Sequence, residues 1–406
     1  MKTYQEAIDW LFNQFPAYQQ VGQSAYKPDL SNITSLCQEL KIDFNKLNYI
    51  HVAGTNGKGS TCNLLASAFK LKNKKTGLFT SPHIHDFRER IRINDELISE
   101  QSVINFCNEI YAKKWNIQPS FFEITWALAL KYFIEEKCEI CIIETGLGGR
   151  LDSTNIIAPI LSIITNISLD HVAILGDTLE LIAFEKAGII KNNIPVVIGE
   201  TTPETKPVFK QKALECKSEI YFAEEAALND SFISDSTSYQ FKNERTFRTA
   251  IAVLNGLGYD FNQQEITEAI HAAQSNPLFH GRFEIVCQEP LTILDVAHNE
   301  AGIKQMLETL KNVQRGKLHL IYGGSSDKDL KSIIELFPNE AQFYLTEFKN
   351  NRTAKLEDLK AISESLELNS DYFFQLSDAL KAAQLSANKT DTILITGSFF
   401  LISDYF

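Results

Sequence analysis

Positive charge is in short supply in this sequence. Its 406 residues include 39 lysines and arginines against 51 aspartates and glutamates, which gives a formal net charge of -12 at pH 7. Proteins that bind nucleic acid normally meet the backbone phosphates with a surplus of lysine and arginine. We therefore expect no nucleic-acid partner, and an anionic ligand would have to be met by positive charge concentrated at one place.

Long apolar runs are also missing. No stretch approaches the roughly 20 apolar residues that a membrane-spanning helix needs. Met1-Lys2-Thr3 leads into an amphipathic helical pattern rather than a signal peptide. The sequence thus predicts a cytoplasmic protein with no membrane partner, and its length suits two or three domains.

The seven cysteines lack the paired spacing of a zinc site. Cys138 and Cys141 stand together at the start of an apolar run, and no second pair follows them. All seven are expected to be reduced residues of the hydrophobic core. Low-complexity segments and internal repeats are not visible either.

The most informative stretch is residues 49–72, YIHVAGTNGKGSTCNLLASAFKLK. An apolar run is followed by a glycine-rich loop, and apolar residues then recur at helical spacing from Ser60 to Phe69. The pattern predicts a strand, a loop and a helix, with a second strand at 76–80. Such a loop offers backbone N–H groups and a helix N-terminus to phosphate, and glycine permits the close approach.

This loop differs from the common P-loop, in which Ser or Thr directly follows the lysine. Here Gly59 follows Lys58, and Val52 stands where the first glycine should be. GTNGKGST after His-Val-Ala resembles the phosphate loop of the Mur ligase superfamily, and the glycine after the lysine is similar to its folylpolyglutamate synthase and dihydrofolate synthase branch. A glycine-rich turn without a ligand is the alternative for this stretch.

Further blocks similar to that branch follow in family order: SPH, FFE, ETGLGGRLD, DH, EKAG, HGR, DVAHN, SDKD and TGS. The branch usually has Pro-Gly-Arg where this chain has His280-Gly281-Arg282, so we expect a less rigid hinge there. The resemblance covers nearly the whole chain and implies an α/β protein. A P-loop ATPase domain with a mostly parallel sheet is expected over 1–282, and a smaller Rossmann-like α/β domain over 283–406.

Periodicity predicts further elements. Arg88 to Ile93 alternates as a strand with one charged face would, and residues 229–237 are polar enough for a surface excursion. Helices are expected at 102–111, 121–135, 179–188 and 247–257. From Leu291 strands alternate with helices, which predicts a parallel sheet, with strands at 293–294, 317–322, 341–345 and 392–395.

Polar residues at strand ends indicate a magnesium site beside the loop. Glu144 ends an apolar run that predicts a buried parallel strand, and His171 follows what is expected to be a neighbouring strand. Walker-B acids hold Mg²⁺ at such a position. The resemblance implies two Mg²⁺ ions, held by Ser60, Ser81, Glu144, His171 and a carbamylated Lys186.

Each of these residues also has an ordinary structural interpretation. Ser81 can be a turn serine before proline, His171 a core histidine bonded to Asp170, and Lys186 a helix lysine paired with Glu185. A lysine ammonium would be repelled by Mg²⁺, so a metal role requires a neutral amine that reacts with CO₂ to give a carbamate.

The resemblance also implies the substrate sites. ATP is expected at Gly54, Thr55, Asn56, Gly57, Lys58, Gly59, Ser60, Asn243, Arg282 and Asp295. The acceptor and L-glutamate are expected at Tyr26, Lys27, Ser120, Phe121, Phe122, Glu123, Leu151, Asp152, Ser153, His298 and Ser398. The catalytic residues are expected to be Lys58, Lys186, Asp295 and His298. Core packing is the plainer interpretation of the two phenylalanines.

The implied activity is ATP-dependent addition of L-glutamate to a reduced folate, with dihydropteroate as a second acceptor, by a monomeric enzyme that forms an acyl phosphate. Two alternatives remain. One is a Mur-type ligase for a UDP-linked cell-wall precursor; such ligases carry a nucleotide-sugar domain ahead of the loop, for which the residues before Gly54 are too few. The other is a non-enzymatic ATP-dependent switch.

Overall fold

The computed structural model describes residues 1–15, 29–113, 117–226 and 239–406. Tyr26, Lys27 and the polar stretch 229–237 lie outside the described residues. The described chain divides into two compact units, one taking the residues up to 226 and 240–278, the other Tyr239 and 279–406. No helix in the described ranges is both long enough and apolar enough to cross a membrane.

The first unit is built on one sheet with the strand order β4-β3-β2-β5-β1-β6-β7-β8. Neighbouring strands are parallel from β2 to β8, and β3 and β4 pair antiparallel at one edge. The strands are β1 (Tyr49–Ala53), β2 (Thr76–Phe79), β3 (Ile91–Ile93), β4 (Glu96–Leu97), β5 (Ile140–Glu144), β6 (Leu161–Ile164), β7 (Val196–Ile198) and β8 (Ile220–Phe222).

Helices cover both faces of this sheet. They are α1 (Tyr4–Gln14), α2 (Ser31–Glu39), α3 (Lys58–Leu71), α4 (Glu100–Tyr111), α5 (Phe121–Glu135), α6 (Val172–Leu175), α7 (Leu179–Ala187), α8 (Thr205–Glu215), α9 (Tyr239–Gly256) and α10 (Gln263–Gln274). Alternate residues of β5 belong to different cores: Ile140 and Ile142 pack with α3, Cys141 and Ile143 with α5. Burial on both faces explains why β5 reads as a continuous apolar run.

The predicted strand, loop and helix at 49–72 are confirmed. β1 is buried along its whole length and lies between β5 and β6. The loop therefore opens at the carboxyl edge in the middle of the sheet, where α/β sheets bind their ligands.

The predicted strand at 88–93 was wrong in its first half. Phe87–Arg90 is a 3₁₀ turn, and the strand comprises Ile91–Ile93 alone. The arginines do not form a charged face toward solvent, because Arg90 is 3% exposed and Arg92 is 2% exposed. Alternation reveals which side chains share a face but not whether that face is covered.

Two further expectations need correction. The helix predicted to begin at Phe247 begins at Tyr239, so Asn243 lies inside α9 rather than ahead of it. Cys287 is exposed, whereas the other six cysteines are buried. It stands on an edge strand that the apolar pattern did not reveal.

The second unit has a six-stranded sheet in the order β13-β12-β11-β14-β10-β9, parallel except for β9. The predicted parallel sheet is confirmed, while β9 and β13 were not predicted. Its strands are β9 (Arg282–Gln288), β10 (Leu291–Asp295), β11 (Leu318–Tyr322), β12 (Gln342–Thr346), β13 (Ser370–Phe373) and β14 (Thr392–Thr396). Its helices are α11 (Glu300–Val313), α12 (Leu330–Ile334), α13 (Leu356–Ser365), α14 (Leu376–Ser386) and α15 (Phe399–Ser403).

Candidate active site

The loop after β1 requires glycine at two positions. Gly57 has φ +81° where it precedes α3, and a Cβ there would lie 2.1 Å from Asn243 Oδ1. A Cβ on Gly54 would lie 1.8 Å from Thr165 Oγ1. Both glycines thus allow a close approach of other elements that any side chain would prevent.

Residues after β6 fix the shape of this loop. Asn166 accepts the Thr55 N–H with its backbone carbonyl at 2.9 Å and the Asn56 N–H with its Oδ1 at 3.0 Å. Thr165 Oγ1 donates to the Asn56 carbonyl at 2.6 Å. These two backbone N–H groups are occupied. The N–H groups of the first turn of α3 have no intrahelical acceptor and remain available to an anion.

Asn166 was missed as a loop residue by sequence reasoning. The available signal was a pair of polar side chains, Thr165 and Asn166, directly after a buried strand. Neighbouring parallel strands bring their carboxyl ends together, and β6 pairs with β1. The strand order was needed to see that these residues face the loop.

Two lysines share one carbonyl oxygen. Gly54 O accepts Lys58 Nζ at 3.1 Å and Lys186 Nζ at 2.9 Å, so the two nitrogens are no more than about 6 Å apart, a distance at which like charges oppose each other's protonation. Burial, reinforced by Lys58, lowers the pKa of Lys186 to about 7. Lys186 is therefore a buried amine with a substantial neutral fraction near neutral pH.

The block GLGGR holds Lys186 in place. The Arg150 N–H donates to Glu185 O at 2.7 Å, and its guanidinium pairs with the Glu185 carboxylate at 2.8 Å. A Cβ on Gly149 would lie 2.8 Å from Lys186 O. Glu185 thus pairs with Arg150, and the interpretation of Lys186 as an exposed lysine paired with Glu185 was wrong.

Glu144 fits one end of a divalent-cation site. It is 4% exposed at the end of β5, and the Ser81 N–H donates to its Oε2 at 3.1 Å. Carboxylate and hydroxyl oxygens are the ligands that Mg²⁺ prefers. Groups of three His, Cys, Asp or Glu suited to a metal do not occur among the described residues.

His171 does not follow a strand next to that of Glu144. It lies in the segment after β6, and β1 separates β6 from β5. His171 has φ +52° and precedes α6, and its backbone N–H donates to Asp170 Oδ1 at 2.8 Å. The expectation of neighbouring strands was wrong, because a parallel sheet need not follow chain order.

The expected acceptor segment at the start of α5 is partly structural. Ser120 and Glu123 cap the helix reciprocally, with Ser120 N–H donating to Glu123 Oε2 at 2.6 Å and Glu123 N–H to Ser120 Oγ at 3.2 Å. Phe121 is buried against Phe12 at 4.6 Å between ring centroids. Phe122 is half-buried, and a Cβ on Gly146 would lie 2.6 Å from its ring, which brings Phe122 to the ETGLGG loop.

Asp152 is held from several directions. Its Oδ2 accepts the Leu147 N–H at 2.8 Å and its Oδ1 the Thr154 N–H at 3.0 Å. Thr154 Oγ1 bonds both Asp152 and His51 Nε2, the latter at 2.8 Å. Burial raises the pKa of Asp152. Leu151 and Ser153 on either side are half-buried.

In the second unit, the structure brings the expected residues Asp295, His298 and Ser398 to the carboxyl edge of two paired strands, β10 and β14. Asp295 accepts the Ala297 N–H at 2.8 Å, the Phe283 N–H at 2.9 Å and the Tyr239 hydroxyl at 3.1 Å. Burial raises the pKa of the Asp295 carboxyl group. Ser398 caps α15, and its Oγ accepts the Phe400 N–H at 3.1 Å.

His298 and Arg282 both lie against Phe399. The His298 ring is 5.7 Å from the Phe399 ring, and His298 Nδ1 lies 2.9 Å from Val296 O. The Arg282 guanidinium stands 4.8 Å above the same phenylalanine. The edge thus carries an arginine and an imidazole beside the buried Asp295 carboxylate.

Family models match both parts of the chain. Residues 52–254 match the Mur ligase middle domain, and residues 281–399 match the Mur ligase glutamate ligase domain. Dihydrofolate synthase/folylpolyglutamate synthase of Bacillus subtilis is 32% identical, over 99% of this chain and 98% of that protein.

Solved structures give the same result. A structure of E. coli FolC in complex with DHPP and ADP has a TM-score of 0.87 at 27% identity and covers 100% of this chain and 97% of that one. A bifunctional folylpolyglutamate synthase/dihydrofolate synthase with Mn, AMPPNP and L-glutamate bound has a TM-score of 0.85 at 26% identity, with the same coverage. This chain belongs to the Mur ligase family, in its dihydrofolate synthase/folylpolyglutamate synthase branch.

Proposed function

We propose that this chain is an ATP-dependent ligase that adds L-glutamate to a reduced folate, and to dihydropteroate as a second acceptor, through an acyl phosphate. The observation that carries the proposal is the group at the carboxyl end of β1, where Lys58 and Lys186 meet at Gly54 O. The activity named for the relatives along their whole length supports it, and favours a folate acceptor over a cell-wall precursor.

The first step must join two anions. The acceptor carboxylate attacks the γ-phosphorus of ATP, giving an acyl phosphate and ADP, so catalysis depends on positioning and charge neutralisation. The first turn of α3 would bind the phosphates with its N–H groups, and Lys58 would leave its loop carbonyls to meet the β- and γ-phosphates. Asn243 packs against Gly57 and would limit how closely the nucleotide can approach the loop from that side.

Divalent cations would bind at Ser60, Ser81, Glu144, His171 and Lys186. Bound there, Mg²⁺ would supply charge neutralisation for the phosphates and the attacking carboxylate. Glu144 is the residue around which this set forms, because its buried carboxylate is already oriented by the Ser81 N–H.

Lys186 would contribute as a carbamate. Its neutral amine attacks the carbon of CO₂, forming an N–C bond and releasing one proton, and the product is a carboxylate on a long stem. Burial and the neighbouring Lys58 favour the neutral amine that this reaction needs. The carbamate also removes a positive charge from beside Lys58.

In the second step the glutamate amine attacks the carbonyl carbon of the acyl phosphate. A tetrahedral intermediate collapses, the C–N bond remains and phosphate leaves. His298, Asp295 and Ser398 of the second unit are the residues proposed for this half of the reaction, with Arg282 for the phosphates.

The finer proposals of a monomer and a cytoplasmic location are checked by sedimentation and by cell fractionation.

A coupled assay of ADP release tests the function. With MgATP and L-glutamate, we expect ADP release that depends on tetrahydrofolate or dihydropteroate, and none with UDP-N-acetylmuramoyl peptide plus an amino acid. Release with the cell-wall precursor alone would replace the proposal by the Mur-type alternative. ATP binding without ADP release under any acceptor would leave the non-enzymatic switch.

A further inference from the structure

Two buried arginines lie beside Glu144, and neither belongs to the sites described so far. The Arg90 backbone carbonyl accepts the Thr80 N–H at 3.1 Å, and the next residue, Ser81, donates to Glu144. Arg92 follows on β3. The Glu144 carboxylate lies within electrostatic range of both guanidinium groups.

The guanidinium of Arg90 is incompletely paired. Its Nε donates to His83 Nδ1 at 2.8 Å, while its two terminal nitrogens have no hydrogen-bond or ion-pair partner within the described part of the chain. Arg92 likewise has Nε and Nη1 buried without a partner. Buried charged donors without acceptors are costly, so such a group in a folded protein calls for a partner such as an ion, a water or a ligand.

Nearby carboxylates do not supply the acceptor that the Arg90 guanidinium lacks. Glu89 accepts three backbone N–H groups, from Ile84, His85 and Asp86, at 2.6–2.8 Å. Glu89, Asp95 and Glu144 offset the charge of the two arginines, but within the described residues none of these carboxylates is hydrogen-bonded to the terminal nitrogens of Arg90. An anion is the chemical class that completes such a site.

The strand order indicates which anion this is. β3 and β1 lie on opposite sides of Glu144, since the order is β3-β2-β5-β1. An anion at Arg90 thus approaches Glu144 from the side opposite the phosphate loop. That side suits the acceptor acid rather than a phosphate of the nucleotide. The Arg90 guanidinium also stands 5.4 Å above the Phe121 ring, and Phe87 packs on that ring at 5.9 Å, so the wall beside the charge is aromatic.

We propose that Arg90 binds the reacting carboxylate of the acceptor, with its two terminal nitrogens donating to the two carboxylate oxygens and its Nε bond to His83 fixing the plane. This inference rests on the proposed function, because it names the residue that recognises the acceptor acid. A planar fork facing a carboxylate is the geometry in which arginine surpasses lysine.

The test compares binding with and without the acceptor's charge. Dihydropteroate and its carboxamide are titrated by calorimetry into the protein with MgADP. Wild type should prefer the acid to the amide by tenfold or more. Arg90→Met, which keeps the stem, should lose that preference, and Arg90→Lys should keep part of it. Arg88→Met is the matched control, since Arg88 is paired with Asp86 at 2.7 Å on the same turn.

Steady-state kinetics distinguish the acceptor from the nucleotide. Arg90→Met should raise KM for the acceptor tenfold or more and leave KM for ATP within twofold. An unchanged preference for the acid, or a rise in KM for ATP alone, would overturn the proposal. If wild type binds the acid but releases no ADP, the function fails while the binding comparison still decides the role of Arg90. Melting curves check folding, and Arg90→Lys decides if Arg90→Met does not fold.

Discussion

A single buried amine carries most of the chemistry argued for the first unit. Lys186 reaches Gly54 O next to Lys58, and the Arg150–Glu185 pair fixes the turn of α7 that carries it. Sequence alone left Lys186 as either an exposed lysine or a carbamate, because burial depends on which elements pack together. The contact with the ETGLGGR block removes the first of these interpretations.

Replacing Lys186 by alanine should lower turnover by about 100-fold or more, since the group that balances charge at the reacting phosphate is lost. Acetate or formate should restore part of the activity by filling the vacated carboxylate position. ADP release with and without the added acid is the measurement. Lys191→Ala is the control: its Nζ donates to Asn155 O, so acetate should not affect it. Full activity of Lys186→Ala would refute the carbamate.

His51 should make stability depend on pH. Burial lowers its pKa to about 3, so between pH 6.5 and 3 the unfolded chain binds a proton that the folded chain refuses. The free energy of unfolding should therefore fall with falling pH, by up to about 1.4 kcal/mol per pH unit. His51→Gln should lose this part of the slope, measured by urea unfolding at pH 4 to 7.

The control for that measurement is His271→Gln, at an exposed position of α10. It should keep the wild-type slope. Equal slopes for wild type and His51→Gln would mean that His51 does not resist protonation in the folded chain, and that the His51–Thr154–Asp152 network is held by other means.

At the scale of elements, the phosphate loop is shaped by what packs on it. Asn166 occupies two of its N–H groups, and Asn243 of α9 stands against Gly57. The strand, the loop and the helix could be predicted from glycine spacing and apolar periodicity. Their partners could not, because Thr165, Asn166 and Asn243 come from elements more than 100 residues away.

Gly57→Ala should disrupt this loop. Its φ of +81° strains any side chain, by roughly 1–2 kcal/mol, and the new Cβ would meet Asn243 Oδ1 at 2.1 Å. MgATP affinity should fall at least tenfold, measured by calorimetry. Gly256→Ala is the control, because nothing lies within 4 Å of a Cβ at the end of α9. Unchanged affinity in Gly57→Ala would contradict the packing described.

At the scale of the whole molecule, the α/β class and the family were predictable, because the sequence motifs that resemble the branch occur along this chain in the family's order. The features that were predicted wrongly or not at all depend on which surfaces are covered by other elements. Arg90 and Arg92 were predicted to lie on the charged face of a strand, Cys287 was predicted to be a core residue, and the edge strand β9 had no clear pattern. Tertiary contacts decide each of these, and local periodicity contains no record of them.

The central claim is that the acceptor carboxylate attacks the γ-phosphorus of ATP. An acceptor labelled with ¹⁸O in both carboxylate oxygens tests it most directly. One labelled oxygen should pass through the acyl phosphate into the released inorganic phosphate, which ³¹P NMR detects as a shifted resonance. Phosphate that forms together with the glutamylated product but carries no ¹⁸O would contradict the account.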